Sequence, residues 1–388
     1  MKKIFPGFSL LLLFACSTEQ NPGPTPAPET NDILVSDDKA QIGDPEFDPY
    51  NQRICWQSIT DHKLWVCGID PATGKLAVAN GQQTLIDDAL VPLASTFNGG
   101  EWAFSRAGAA IVYSKLGAGN ARYAAVATET GSTWAVNVLT SSPDRINPRA
   151  TKNPTDNVAA FQYLTSPGSG TTKYKYLNAP GTELSIPDFK DAHWAEDEQV
   201  LTGILPNNQV GLFDPANPAA PVQLTATPGT VYSRPYMWRA PDQNNARMFF
   251  AKANGNEIHV FIETVPNSRV FSPFLQFRSP SANPGYSNIG SPEPVIYKGK
   301  SYISFMASSS PLETTGEPAE IWYAALNKVN PVYKMVSDAV VRTRTDPEPY
   351  PTASTLYIYY TEVDDSANPD GILDPTTILK LRRCDTGL

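Results

Sequence analysis

A pair of strands recurs about seven times between Asp44 and Cys384, and this repeat restricts the fold more than any other feature of the chain. Each repeat begins with a short opening, often marked by proline. An apolar strand follows it, and then a second strand after a polar turn. The seven openings are Asp44-Pro45-Glu46, Glu101-Trp102, Asn147-Pro148-Arg149, His193-Trp194, Arg234-Pro235-Tyr236, Ser291-Pro292-Glu293 and Asp346-Pro347-Glu348. All-β units that repeat every roughly 40–50 residues are typical of propeller blades. The sequence therefore predicts an all-β protein, a β-propeller with seven blades.

The segments that follow the openings have the composition of strands. Residues 53–57 and 63–70 are the predicted strand pair of the first blade, and residues 355–360 and 378–384 that of the last. These short runs are rich in β-branched and aromatic residues, and no stretch keeps a helical period. The last blade runs out of chain before an outer strand. We expect residues 33–36 to supply that strand, because this would join the two ends of the ring and leave no open sheet edge.

The N-terminus has the pattern of a secretory signal peptide over residues 1–16. Lys2 and Lys3 precede an apolar stretch that is too short to span a bilayer as a stable helix. The stretch ends in Leu13-Phe14-Ala15-Cys16, which resembles the lipobox of bacterial lipoproteins. The resemblance implies that Cys16 becomes the N-terminus and carries acyl chains. The alternative is an ordinary secreted protein cleaved near Ala15.

Ser17 and the segment that follows the lipobox indicate where in the cell envelope the protein is expected. Ser17 rather than Asp follows the cysteine, and in lipoproteins of Gram-negative cells this favours sorting to the outer membrane. Residues 17–31 contain four prolines and no apolar periodicity, as expected for a semi-rigid spacer. We expect residues 32–388 to form the propeller domain, held clear of the membrane by this spacer.

The charge of the chain restricts its partners. The net charge is -9 and the pI is about 5.0, so nucleic acid phosphates would be repelled. The expected partners are the membrane, through the lipid anchor, and a glycan or another envelope protein. We expect the protein itself to be a monomer.

Three cysteines remain once Cys16 is assigned to lipid. Cys55 and Cys67 lie on two strands joined by a turn, roughly opposite each other, and Cys384 is near the end of the chain. So few cysteines do not make a disulfide scaffold. One disulfide bond and three buried thiols are both compatible with this pattern.

One repeat is similar to a known family. Ser105-Arg106-Ala107-Gly108 precedes an apolar strand, and Glu129-Thr130-Gly131 follows the next strand. This arrangement resembles the WD-like repeat of TolB-type β-propellers. The resemblance implies the propeller fold and is compatible with a protein-interaction platform in an envelope assembly. It implies no activity, because propellers of this type carry many unrelated functions.

The aligned openings also predict a candidate site. In a propeller the first strand of each blade lines a central channel, and ligands bind at one of its mouths. Alignment places Glu46, Glu101, Arg149, His193, Tyr236, Glu293 and Glu348 at equivalent positions. Asp44, Arg234 and Asp346 precede three of these by two residues, where strand alternation would return side chains to the same face.

Carboxylates, arginines and aromatic rings in one funnel are the composition of a carbohydrate site. The candidate catalytic residues are Glu46, Glu293, Glu348 and His193. The candidate binding residues are Arg149, Arg234, Tyr236, Glu101, Trp102 and Trp194.

Several interpretations of this set remain open. The acidic residues could be structural, with each carboxylate accepting backbone N–H groups from the next blade. They could bind a glycan, or form the acid and base of a glycoside hydrolase or a lyase. Ca²⁺ bound by Asp44, Glu46, Asp346 and Glu348 is chemically reasonable, although no loop motif supports it. No other cofactor or metal is expected.

Overall fold

The computed structural model describes residues 32–36, 41–77, 83–93, 98–131, 133–165, 172–179, 181–186, 189–310, 317–329, 331–365 and 376–388. Within these residues, strands β1 to β28 form seven four-stranded antiparallel sheets, which are the blades of a propeller. The predicted signal peptide, Cys16 and the proline-rich spacer lie outside the described residues.

The first three blades follow the chain in order. Their strands are β2 (Ile42–Asp48), β3 (Arg53–Ser58), β4 (Leu64–Gly68) and β5 (Thr84–Asp87); β6 (Glu101–Ser105), β7 (Gly108–Leu116), β8 (Arg122–Thr130) and β9 (Thr133–Val138); and β10 (Ile146–Ala150), β11 (Ala160–Leu164), β12 (Thr172–Tyr176) and β13 (Leu184–Ile186).

Blades four to six repeat the same order, and blade seven ends with β1. Their strands are β14 (Lys190–Trp194), β15 (Leu201–Ile204), β16 (Val210–Phe213) and β17 (Val222–Gln223); β18 (Tyr232–Ala240), β19 (Ala246–Ala253), β20 (Glu257–Glu263) and β21 (Phe271–Arg278); β22 (Asn288–Tyr297), β23 (Lys300–Ser308), β24 (Ala319–Ala325) and β25 (Val332–Met335); and β26 (Thr343–Pro351), β27 (Leu356–Asp364), β28 (Ile378–Asp385) and β1 (Asp32–Leu34). Short 3₁₀ turns lie at Ala118–Asn120 and Pro241–Gln243.

The core lies between neighbouring blades. Trp238 and Phe250 of blade five pack in one cluster with Ile289 and Phe305 of blade six, and other clusters pair other neighbours in the same way. The middle strands are buried on both faces, which is why their sequences are nearly continuous apolar runs. The first strands of consecutive blades contact each other around the whole ring. This arrangement places the blade openings around the central channel.

The predicted closure by the N-terminal strand is confirmed. β1 pairs with β28 in antiparallel register, with Asp32 opposite Cys384. The backbone N–H of Val35 then donates to the carbonyl of Leu381 at 3.0 Å. The last blade therefore takes three strands from the C-terminus and its outer strand from the start of the domain.

Asp32 fixes this closing strand with its buried carboxylate, which is 1% exposed. It accepts the hydroxyl of Tyr360 at 2.9 Å, Nε of Arg382 at 2.8 Å and the backbone N–H of Asp338 at 3.1 Å. A guanidinium nitrogen of Arg344 lies 3.8 Å away. One carboxylate thus connects the N-terminus to three segments of the last blade.

The three cysteines of the described domain are free and buried. Cys55 is paired with Val66 and Cys67 with Ile54, so the two cysteines are one position out of register. A shift of one residue places them on opposite faces of the sheet. The expectation that they lie opposite each other is wrong.

No helix in the described part of the chain is long and apolar enough to cross a membrane.

The closure predicts a large effect of Asp32→Ala. Removing one member of a buried, hydrogen-bonded charge cluster costs about 3–5 kcal/mol, because its partners remain buried. We expect the free energy of unfolding, measured by urea denaturation, to fall by that amount. Asp61→Ala is the control, since Asp61 pairs with Lys63 on the surface, where 43% of its side chain is exposed. Equal stability of the two variants would contradict the role given to Asp32.

Candidate functional site

A β-bulge interrupts the first strand of six blades at the same place. In each, a residue other than glycine adopts positive φ, between 40° and 58°; these residues are Asp44, Asn147, Asp191, Arg234, Ser291 and Asp346. The pairing register shifts across each of them by one residue. Positive φ costs a non-glycine residue about 1–2 kcal/mol, so six such residues in one ring mark a constrained region.

Proline marks the bulge in the sequence. It follows the positive-φ residue in five of the six blades, and Ala192 follows Asp191 in the sixth. Proline has no N–H to donate, so within sheets it is tolerated at bulges, where the ladder is already interrupted. The bulge also corrects one expectation. Because it inserts an extra residue, the alternation argument that put Asp44, Arg234 and Asp346 on the same face as the residues two positions later is wrong.

Two aspartates at the bulges hold neighbouring blades together. The carboxylate of Asp44 accepts the backbone N–H of Gly99 in the next blade. The carboxylate of Asp191 accepts the backbone N–H of Arg234 in the same relation. The structural interpretation of the acidic openings therefore holds for Asp44, and Asp191 plays the same part in a blade where the sequence did not suggest it.

The residues two positions after the six bulges, together with Glu101 of blade two, form a second level, which we call the polar ring. Its members are Glu46, Glu101, Arg149, His193, Tyr236, Glu293 and Glu348, one from each blade. In the six bulged blades each is the first residue to regain pairing after the bulge, and Glu101 begins β6. The equivalence predicted from the openings is thus present in the backbone register.

Five consecutive members of the polar ring contact one another. Nε of Arg149 lies 4.0 Å from Oε1 of Glu101, and its guanidinium also contacts Nε2 of His193. The rings of His193 and Tyr236 are in contact, with their centroids 4.1 Å apart and their planes tilted by 32°. The Tyr236 hydroxyl donates to Oε1 of Glu293 at 2.7 Å. Blades two to six are therefore linked, each to the next, by a chain of side-chain contacts along the ring.

His193 is neutral in this arrangement. Burial and then the charges of Arg149 and Arg234 hold its pKa well below the usual value. A guanidinium can only donate, so Nε2 of His193 accepts from Arg149. With its accepting nitrogen occupied and its basicity reduced, His193 is a poor candidate for a general base.

Glu46 and Glu348 occupy the other arc of the polar ring. Burial, and then the neighbouring carboxylates, raises the pKa of both side chains well above the usual value. Glu46 has an ion pair with Lys152 at 3.5 Å. Glu348 is 8% exposed and accepts no hydrogen bond or ion pair from any described residue. This arc therefore holds polar groups whose bonding capacity is largely unused.

Lys152 is a member of the site that the sequence did not reveal. It lies three residues after Arg149, beyond the end of β10, and 33% of its side chain is exposed. Glu196 holds the same offset from His193 in blade four. Asn98, which donates to Glu101 at 3.1 Å, was also missed. No motif marks these residues, because their relevance depends on the ring bringing separate blades together.

Trp102 and Trp194, two of the predicted binding residues, do not belong to the polar ring. Trp102 is fully buried and its indole N–H donates to the carbonyl of Glu46 at 3.0 Å; Trp194 is 5% exposed and donates to the carbonyl of Arg149 at 3.2 Å. Both pack in cores between blades rather than on the channel surface. Trp102 and Trp194 are therefore core residues and not part of the candidate site.

The described residues also give no support to a calcium site. Within them, no group of three or more His, Cys, Asp or Glu side chains has the geometry to hold a metal ion.

Known structures agree on the fold. No family model matches the chain, and no curated protein matches it. The β-propeller domain of Cps50 (Swd1) from Myceliophteria thermophila is similar at 8% identity with a TM-score of 0.54, covering 91% of this chain and 98% of that one. A candidate 6-phosphogluconolactonase from Bacteroides uniformis is 12% identical over 83% of this chain and 94% of its own, with a TM-score of 0.47. At such identities the similarity shows the propeller fold alone.

The raised pKa of Glu293 predicts a pH-dependent stability. Burial is the main cause and brings this pKa from 4.5 to about 7. The folded state therefore holds the proton more tightly than the unfolded state, and the associated stability is lost as the pH rises from 4.5 through 7. We expect Glu293→Gln, which can still accept from Tyr236, to abolish this loss, which amounts to about 1.4 kcal/mol per pH unit in that range.

The measurement is the free energy of unfolding of both proteins at pH 4.5, 6 and 8. The difference between the wild-type protein and Glu293→Gln isolates this group from others that titrate in the same range. Glu129→Gln, a change on the surface of blade two, serves as the control. A difference that does not vary with pH would show that Glu293 titrates normally.

Proposed function

We propose that the protein is an envelope lipoprotein whose propeller binds a glycan at the polar ring. The observation that carries the proposal is Glu348, a member of the polar ring that is 8% exposed and receives no hydrogen bond or ion pair from the described residues. A carboxyl group that no described residue occupies, in a ring of polar side chains, is able to bond to a ligand.

The chemistry of the polar ring suits hydroxyl groups. Glu46, Glu293 and Glu348 can accept hydrogen bonds, and Arg149 and Lys152 can donate them. The side chains of Arg149 and Lys152 keep 29% and 33% of their surface exposed, so they remain available to a ligand. The rings of Tyr236 and His193 pack against each other, which favours recognition of a sugar by hydrogen bonds over stacking on its ring.

Binding can be tested with a glycan array followed by calorimetry on the purified protein. If the ligand bonds to Glu348, Glu348→Gln should weaken binding by about 1–3 kcal/mol, the usual cost of leaving a partner group unpaired. Glu129→Gln should bind as the wild-type protein does. Failure of every glycan to bind, or equal binding by all three proteins, would contradict the proposal.

A carbohydrate-active enzyme is the second candidate, and the pKa of Glu293 favours it. A carboxyl group with a pKa of about 7 is suited to donate a proton at neutral pH. Glycosidases combine such an acid with an ionised carboxylate. The same glycans should then be analysed for products: an enzyme would lose turnover in Glu293→Gln while it kept most of its affinity.

The anchoring part of the proposal rests on Leu13-Phe14-Ala15-Cys16 and on the spacer after it. We expect metabolic labelling with palmitate in the wild-type protein and none in Cys16→Ser. One acyl chain gives only marginal membrane binding, so stable anchoring requires at least two. Equal labelling, or release of the wild-type protein into the medium, would reject lipidation.

A further inference from the structure

One end of blade six is basic. The turn between β22 and β23 and the turn between β24 and β25 lie at the same end of this blade, because its four strands are antiparallel. The sequence of these turns and their flanks, residues 296–302 and 325–335, contains four lysines and no Asp or Glu, although the whole chain has a net charge of -9. We call this surface the basic tip. Its four exposed lysines are Lys298, Lys300, Lys328 and Lys334.

Contacts with the end of the chain show that the lysines of the basic tip lie near one another. Nζ of Lys298 donates to an oxygen of Leu388 at 3.4 Å, and Nζ of Lys334 donates to the carbonyl of Thr386 at 2.5 Å. Asp385 and the carboxylate of Leu388 are the negative groups beside them. Four lysines outnumber these two groups, so the basic tip carries a local positive charge.

An apolar side chain projects from the same surface. Val329 follows Lys328 in the turn between β24 and β25, and with 81% of its surface exposed it is the most exposed large apolar residue in the described part of the chain. Val332, at the start of β25, is 55% exposed. Lysines around an exposed apolar side chain are suited to a lipid surface, where the lysines meet headgroups and the apolar group enters the interface.

The chain that precedes the propeller joins it beside the basic tip. Asp32 is paired with Cys384, two residues before Thr386, which Lys334 contacts. Residues 17–31 separate Asp32 from Cys16, and a proline-rich spacer of this length reaches at most about 45 Å. A lipid on Cys16 would therefore keep the basic tip at a high local concentration beside the membrane, where a weak attraction is sufficient for docking.

We propose that the basic tip docks the propeller on an anionic lipid surface, with its lysines beside the headgroups and Val329 at the boundary with the acyl chains. The inference rests on the proposed lipid anchor and adds the orientation of the domain that this anchor carries. Salt screens exposed charges beyond about 10 Å, so the local charge of the basic tip governs the contact rather than the net charge of the chain.

The test measures binding to lipid vesicles by flotation of the chain from Ser17 onward, which cannot be acylated at Cys16. The seven sheets and the closing strand lie within residues 32–388, so this chain keeps the described fold, and thermal melting checks it. The vesicles contain phosphatidylcholine alone, or phosphatidylcholine with about one third phosphatidylglycerol. We expect about tenfold or more tighter binding to the anionic vesicles at low salt, and loss of this preference at high salt.

A pair of double variants with the same change in charge locates the contact. Lys300 and Lys328 make no hydrogen bond or ion pair with the described residues, so Lys300→Gln/Lys328→Gln should stay folded. We expect this variant to bind anionic vesicles about tenfold or more weakly than the unmodified chain. The control is Lys63→Gln/Lys190→Gln, because Lys63 in the second turn of blade one and Lys190 at the start of blade four lie at the opposite end of their blades. This control should bind as the unmodified chain does.

The outcomes separate the docking surface from the anchor. Equal binding by the two double variants, or equal binding to neutral and anionic vesicles, would overturn the inference. Palmitate labelling of Cys16 without any vesicle binding would reject the surface and keep the anchor, whereas vesicle binding without labelling would reject the anchor and keep the lipid-binding surface. A dimer that Lys300→Gln/Lys328→Gln dissociates would show that a second copy occupies the basic tip, which would also overturn the inference.

Discussion

The joint between the first and last blades is the constraint on which the rest of the structure depends. A propeller positions its channel residues only when the ring is closed, and here Asp32 closes it through Tyr360, Arg382 and the backbone of Asp338. Glu348 and Glu46, the two most weakly satisfied acids of the polar ring, lie on the two blades that this joint brings together. The positions of Glu46 and Glu348 in the candidate site therefore depend on closure of the ring.

The channel has two levels, the bulges, whose aspartates have a structural role, and the polar ring, which is the candidate site. At the bulges, Asp44 and Asp191 use their carboxylates to hold the backbone of the next blade. At the polar ring, Glu293 bonds to the Tyr236 side chain and Glu348 to no described residue. The bulges store backbone strain, and the surrounding sheets must offset it. The acids of the polar ring are different, because burial raises the pKa of Glu46 and Glu348, and buried acids with shifted pKa values are typical of functional sites.

The sequence was sufficient to predict the propeller fold, because each repeat carries its own local signals, a proline-marked opening and two strand-like segments. The prolines of the openings coincide with the bulges, so alignment of the openings alone placed Glu46, Glu293 and Glu348 at equivalent positions. The closing strand was also predictable, since the last blade visibly lacked one. The site was less accessible. Lys152 and Glu196 carry no motif, and Trp102 looked like a channel residue because a sequence does not show on which side of a strand the next blade packs.

The most direct test of the account is carbon NMR of the glutamate carboxyl groups, recorded as a bound glycan is titrated into the protein. If the polar ring is the binding site, the carboxyl signals of Glu46, Glu293 and Glu348 should shift with the ligand, and that of Glu129 should stay in place. Shifts confined to glutamates on the outer strands, with the three ring signals unchanged, would contradict it.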